Sequence, residues 1–84
     1  MAQINIIAPA EDDIKTIYNY IKYHYKNKLA AEKFKKGLYS RINDLKLFPL
    51  QGVSYRKKYY RIKFDKYSIV YEYKDNVVTI IAVE

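Results

Sequence analysis

Tyr60-Arg61-Ile62-Lys63-Phe64-Asp65-Lys66-Tyr67-Ser68-Ile69-Val70-Tyr71 is the stretch whose reading decides how this chain folds. On both sides of Asp65-Lys66 large apolar residues alternate with polar ones, the period-two pattern of strands with one buried face. A two-residue loop at Asp65-Lys66 sets Phe64 against Tyr67, Ile62 against Ile69 and Tyr60 against Tyr71. All six then lie on one side of a sheet, which supports the register although Asp-Lys is not the favoured pair for such a turn. Asp75-Asn76 is a better turn, and it places Val78, Ile80 and Ala82 on that same side. The expected product is a three-stranded antiparallel meander whose last strands are Tyr67–Tyr73 and Val77–Val83.

Upstream, Gln3–Ala8 alternates with Ile4, Ile6 and Ala8 on one side, as a half-buried strand does. Pro9 suits the first turn of a helix, and Glu11, Asp12 and Asp13 stand where negative charge favours the helix N-terminus. Ile14, Ile17, Tyr18, Ile21 and Tyr25 mark a helical stripe that ends at a short turn, Lys26-Asn27-Lys28. Ala31, Phe34, Leu38, Ile42 and Leu45 form the stripe of a second helix, which Pro49 stops near Phe48. Gly37 inside that helix costs roughly 1 kcal/mol relative to alanine, and close approach of the two helices is the expected compensation. Leu50–Ser54, with Gly52, reads as a loop. The fold class is therefore α+β in the order β-α-α-β-β-β, a helical hairpin on one face of a small antiparallel sheet. The expected core is Ile4, Ile6, Ile17, Ile21, Phe34, Leu38, Ile42, Leu45, Ile62, Ile69 and Ile80.

The opposite side of the sheet is expected to carry Tyr59, Arg61 and Lys63, then Ser68, Val70 and Glu72, then Thr79, Ile81 and Val83. A solvated sheet face is mainly polar, so Val70, Ile81 and Val83 make an apolar patch suited to a protein partner. Beside it Arg56, Lys57, Lys58, Arg61, Lys63 and Lys66 fall among aromatic residues, with Asp65 the only acid between Arg56 and Lys66. Such a cluster suits phosphates and bases, or an acidic protein. The formal charge of +7 and a pI near 9.5 point the same way.

Eighty-four residues, half of them hydrophobic, make one domain over 1–84, with enough apolar surface to fold without staples. With no cysteine there is no disulfide, thiolate nucleophile or zinc-thiolate site, and a reducing cytoplasm is the expected location. The N-terminus lacks the pattern of a signal peptide, and no apolar run is long enough to cross a membrane. No phosphate-binding loop, dinucleotide fingerprint, nucleophile elbow or HExxH motif occurs. No cofactor and no metal site are expected.

Arg61, Lys63 and Glu72 are the candidate catalytic residues, as a metal-free ribonuclease site in which cations stabilise the phosphate and the carboxylate takes a proton. The plainer reading is a cross-strand ion pair between Glu72 and Arg61 with Lys63 solvated. His24, the only histidine, falls beside the buried stripe of the first helix and reads as a half-buried packing residue. Tyr18 and Tyr25 read as core; Tyr20 and Tyr23 point away from it.

Taken in order, these residues resemble the RelE/ParE family of toxins from type II toxin–antitoxin systems. The resemblance rests on Ala10-Glu11-Asp12-Asp13-Ile14 with Ile17 and Tyr20-Ile21, on Ala30-Ala31 with Phe34 and Leu38, and on Ile42, Leu45, Phe48-Pro49 and Gly52. It continues through Tyr60-Arg61-Ile62, Tyr67-Ser68-Ile69-Val70-Tyr71 and Val78-Thr79-Ile80-Ile81-Ala82-Val83. It implies a cytoplasmic growth inhibitor neutralised by a cognate antitoxin, with DNA gyrase as target in the ParE-like branch and ribosome-bound mRNA in the RelE-like branch. If the protein is an enzyme, the second branch makes it a metal-independent mRNA endoribonuclease. Ser68 stands where nuclease members carry an arginine, and the basic segment such members carry after the last strand would begin near Glu84. The Ala30-Ala31 hairpin and the Phe48-Pro49…Gly52 exit are more similar to the ParE-like branch. A shortened inactive toxin and a basic RNA-binding module stay open as alternatives.

Overall fold

The computed structural model describes residues 1–84. Strand β1 (Gln3–Ile6) leads into helix α1 (Ala8–Asn19), which continues through a π-helical turn at Tyr20–His24. Helix α2 (Lys28–Asn43) runs into a 3-10 turn at Asp44–Lys46, and β2 (Val53–Tyr55), β3 (Tyr59–Phe64), β4 (Tyr67–Lys74) and β5 (Val77–Val83) follow. The five strands form one sheet in the order β1-β5-β4-β3-β2.

The central hairpin has the register read from the sequence, with Tyr60 opposite Tyr71, Ile62 opposite Ile69 and Phe64 opposite Tyr67. Asp65 takes a left-handed φ of 55°, and Asp75 and Asn76 take 53° and 63° at the next turn. Two successive positive φ values match the strand twist, which is why Asp-Asn works there. The sheet is larger than a three-stranded meander. β1 adds in parallel along Val77–Ile80 of β5, and β2 adds antiparallel along Tyr59–Arg61 of β3. The residues read as the loop Leu50–Ser54 thus include the start of a strand. Val53–Tyr55 is too short to signal itself, and its β character comes from its pairing with β3.

Both helices pack on the face carrying Ile62, Ile69, Tyr71, Val78 and Ile80. Ala10 and Ile14 of α1 and Phe34, Leu38 and Ile42 of α2 are buried there, with Leu45 behind them. Ile4, Ile6, Ile17 and Ile21 lie at the margin of this core, partly buried against it. The helix ends are held locally. Pro9 opens α1 at its missing N–H, and the Asn27 side chain accepts from the Ala30 N–H at 2.9 Å to cap α2. Tyr18 donates to Glu32 at 2.5 Å and joins the two helices.

Four local expectations are corrected. Gly37 accommodates the sheet, not the other helix: a Cβ there would come within 2.6 Å of Phe64 Cζ. His24 is exposed and stacks on Tyr20, with ring centroids 4.6 Å apart. Tyr25, expected in the core, is 58% exposed and meets both rings edge-on. The π turn is the physical reason, because its wider winding rotates these residues away from the buried stripe of α1.

The fourth concerns β5. Tyr71 pairs with Ile80 but Val70 pairs with Ala82, so Ile81 is an unmatched bulge residue. A bulge reverses the alternation beyond it. Val83 therefore faces Ile69 and joins the core, while Ala82 shares the other face with Val70.

Candidate basic interface

The site is built on the sheet face away from the helices. Arg61 and Lys63 are exposed on β3, and Val53 pairs with Arg61 and Tyr55 with Tyr59 on the same side. The turn between β2 and β3 carries Arg56, Lys57 and Lys58, all exposed, with Arg56 at a left-handed φ of 48°. The aromatic rings expected among the cations lie beneath them. The guanidinium groups of Arg56 and Arg61 sit 5.1 and 5.0 Å from the Tyr55 ring centre. Lys58 is 5.4 Å from the Tyr59 ring. Lys66 is set apart from this face: it lies 5.8 Å from the ring of Tyr67, which packs on the helix side against Phe34. Each such contact is worth about 0.5–1 kcal/mol at an exposed site, and it limits the orientations of a flexible cation. The charges are thereby held in a strip.

Glu72 is the carboxylate of this face, and its partner is Lys58, at 3.8 Å. The expected Glu72–Arg61 pair does not form, because Arg61 lies across the β2 side of β3, over Tyr55. Lys63 is solvated, as expected, while its backbone carbonyl accepts from Arg41 Nε of α2 at 3.2 Å. Ser68 exchanges two backbone hydrogen bonds with Glu84, at 2.7 and 2.9 Å, so β4 and β5 stay zipped to that point. The histidine belongs to the helical hairpin and not to this face.

Val70, Ile81 and Val83 do not form an exposed apolar patch. Val70 and Val83 are each only 4% exposed, Val83 on the core side, and Ile81 keeps partial exposure at the bulge. The exposed apolar residues lie elsewhere. Leu47, Phe48, Leu50 and Val53 are 60–70% exposed in the segment leading into β2. Sequence reasoning passed over them because the segment reads as a loop. No sequence signal marked them, because the three residues of β2 become a strand only by pairing with Tyr59–Arg61 of β3.

The position of that segment is set by Tyr71. Its hydroxyl donates to the Pro49 carbonyl at 2.7 Å and accepts from the Gly52 N–H at 3.0 Å. Burial pushes the Tyr71 phenol above its ordinary value, with the Gly52 bond opposing in part. Arg41 Nη1 also donates to Gln51 at 2.8 Å.

The fold, with cations gathered on the outer sheet face around β2 and β3, defines a small α+β protein with two helices packed on a five-stranded mixed sheet. The family model for the ParE toxin of the type II toxin–antitoxin system parDE matches residues 4–84, and the chain belongs to that family. Among solved structures it is similar to a chain of the chromosomal ParDE system from P. aeruginosa, with a TM-score of 0.83 and 17% identity over 100% of this chain and 95% of that one. At that identity the likeness shows the fold. No curated protein sequence matches closely enough to count as a relative. No helix is long and apolar enough to cross a membrane.

Proposed function

We propose that this toxin inhibits growth by gripping its target and not by cutting RNA, and that the target is DNA gyrase, as in the ParE-like branch. The observation that carries this reading is the disposition of the outer face. Arg56 and Arg61 are laid on one tyrosine ring, and Glu72 is turned to Lys58. A ribonuclease site needs preorganised donors around the phosphate and a carboxylate directed at the attacking hydroxyl. A strip of ordered cations on aromatic rings instead suits an acidic patch on a protein. Arg56, Lys57, Lys58, Arg61 and Lys63 are its binding residues, and Lys66, on the helix side, is not among them.

As a type II toxin it is countered by an antitoxin protein. Of the three residues expected to meet the antitoxin, Ile81 alone retains accessible side chain and remains the proposed contact.

The test pairs a gyrase supercoiling assay with a ribosome-programmed mRNA cleavage assay on the purified protein. Inhibition of supercoiling, weakened by Arg61→Ala and by added salt, with no cleavage, is the expected result. Specific cleavage in the ribosomal A site that Arg61→Ala abolishes would instead make the protein a messenger-RNA nuclease.

A further inference from the structure

We propose that the cleft between the tip of the helical hairpin and the β3–β4 turn is a nucleotide site. It takes an aromatic base between its rings and the attached phosphate at its lysine rim. The class of ligand is a nucleoside monophosphate, free or at the end of a single strand.

The hairpin side of the cleft is built by the π turn, a form of helix found frequently at functional sites. Ile21 of that turn lines the cleft, and Tyr25 just after it stands at the mouth, 58% exposed. Tyr25 is held in place. It meets the Tyr20 and His24 rings edge-on at 5.5 and 5.0 Å, and those two stack at 4.6 Å. A single exposed tyrosine needs no explanation, but three mutually packed rings left at the surface mark a place where something binds.

The sheet side is aromatic as well. Phe34 of α2 lies edge-on to Tyr67 at 5.3 Å and tilted against Phe64 at 6.1 Å. Gly37 supplies the space for the Phe64 ring, since a Cβ there would come within 2.6 Å of it. Between the two walls is a cleft of about 400 Å³, within the range of small-molecule sites, about 300–1,000 Å³. Bases of any identity stack on such rings, because every base has a π face.

Charge selects the rest of the ligand. Lys33 of α2 and Lys66 of the β3–β4 turn stand on the rim, both exposed, and Asp65 is the only acid of the lining. Lysine binds phosphate as a point charge. Ala30, in the first turn of α2, also lines the cleft, and that turn carries no acidic residue. The positive end of the helix thus adds to the attraction for an anion. Aromatic walls under a cationic rim fit a ligand that is flat at one end and anionic at the other. A phosphate alone leaves the rings uncovered, and an uncharged ring leaves the lysines unpaired.

This cleft lies on the helix side of the sheet, away from the outer face assigned to gyrase. It is tested by direct binding, so failure in the supercoiling assay leaves it standing. The protein is titrated with adenosine 5′-monophosphate, adenosine, inorganic phosphate and a short 5′-phosphorylated oligodeoxyadenylate, followed by amide NMR shifts. The expected result is saturable binding of the monophosphate with Kd below about 1 mM, its shifts confined to Ile21–Phe34 and Phe64–Tyr67. Adenosine and inorganic phosphate should each bind about tenfold more weakly or worse. Tyr25→Ala and the pair Lys33→Ala/Lys66→Ala, all at exposed positions, should each lose about tenfold in affinity with spectra otherwise unchanged. Lys46→Ala should lose nothing. Cleft-mapped binding of the oligonucleotide that is tighter than that of the monophosphate supports the site and assigns it to a strand end; weaker binding supports it and assigns it to the free nucleotide. No monophosphate binding at about 1 mM, shifts mapping to Arg56–Lys63, equal affinity for inorganic phosphate, or full affinity in the lysine variant would each overturn the inference.

Discussion

The Tyr71 hydroxyl satisfies two backbone groups of one loop, the Pro49 carbonyl and the Gly52 N–H. Tyr71→Phe leaves both without this partner, and a buried group left unpaired costs roughly 1–3 kcal/mol. The expected outcome is a urea midpoint lowered by that order, with faster exchange of the Gly52 amide. The same residue sets an alkaline limit. Its folded pKa lies above its unfolded value of about 10, so its contribution is complete below that pH and is lost as pH rises through the raised value. The fall in stability above pH ~10 should be shallower in Tyr71→Phe than in the parent. Gly37 gives a second residue-scale outcome. Alanine gains about 1 kcal/mol of helix propensity, but its Cβ would stand 2.6 Å from Phe64 Cζ, and overpacking costs roughly 1–3 kcal/mol. Gly37→Ala should therefore destabilise alone and stabilise in a Phe64→Leu background. A thermal-melt double-mutant cycle measures the sign.

Between elements, two side chains do work that regular structure leaves undone. β1 ends at Ile6, so beyond Ile80 the β1-facing edge of β5 has no strand beside it. Asp13 of α1 takes over, accepting from the Val83 N–H at 3.0 Å. Hydrogen bonds to charged groups contribute about 1.5–3 kcal/mol. Asp13→Ala should lose that order of stability and speed hydrogen exchange at Val83, with Asp13→Asn intermediate. The second is the Tyr18–Glu32 hydrogen bond between the helices, which holds the Glu32 carboxyl below its ordinary range and the Tyr18 phenol above its own. A depressed carboxyl contributes stability that is present above its unfolded pKa and disappears as pH falls through the lower folded value. Tyr18→Phe should therefore lower stability modestly at neutral pH, where this contribution is present, and flatten the acid limb of a stability–pH profile, with the two proteins converging as pH falls below the lower folded value.

At the scale of the molecule, one small core holds the two helices on the sheet. Leu38 is fully buried between α2 and the sheet, and Leu→Ala at such a site costs about 2–5 kcal/mol. A domain of this size has only about 5–15 kcal/mol to lose. Leu38→Ala should lower the thermal midpoint by many degrees and reduce toxicity through loss of folded protein. Charge acts differently. A net +7 on one small domain speeds encounter with anionic targets and is screened by salt. Target inhibition should weaken with ionic strength in the parent and less steeply in an Arg56→Ala/Arg61→Ala variant.

The residues alone determined the order of the first strand, the two helices and the three-stranded meander, the two helical stripes and the Tyr60–Tyr71 register, because each is written in short-range periodicity that one buried face enforces. They also determined the basic strip, since strand alternation places Arg61 and Lys63 together whatever the neighbours are. Three things waited for the tertiary structure. The π turn carried His24 and Tyr25 out to solvent, and nothing in the local pattern separates it from a continued α-helix. The unmatched Ile81 reversed the alternation of the last strand, turning Val83 into the core, because the bulge depends on how β5 pairs with β4 and not on its own residues. β2 exists only through β3, and its exposed edge and apolar approach became visible as a surface once Tyr71 had fixed the loop over the sheet. Local alternation says which way a side chain points while the ladder is regular; where the ladder slips or gains an edge strand, only the partner decides.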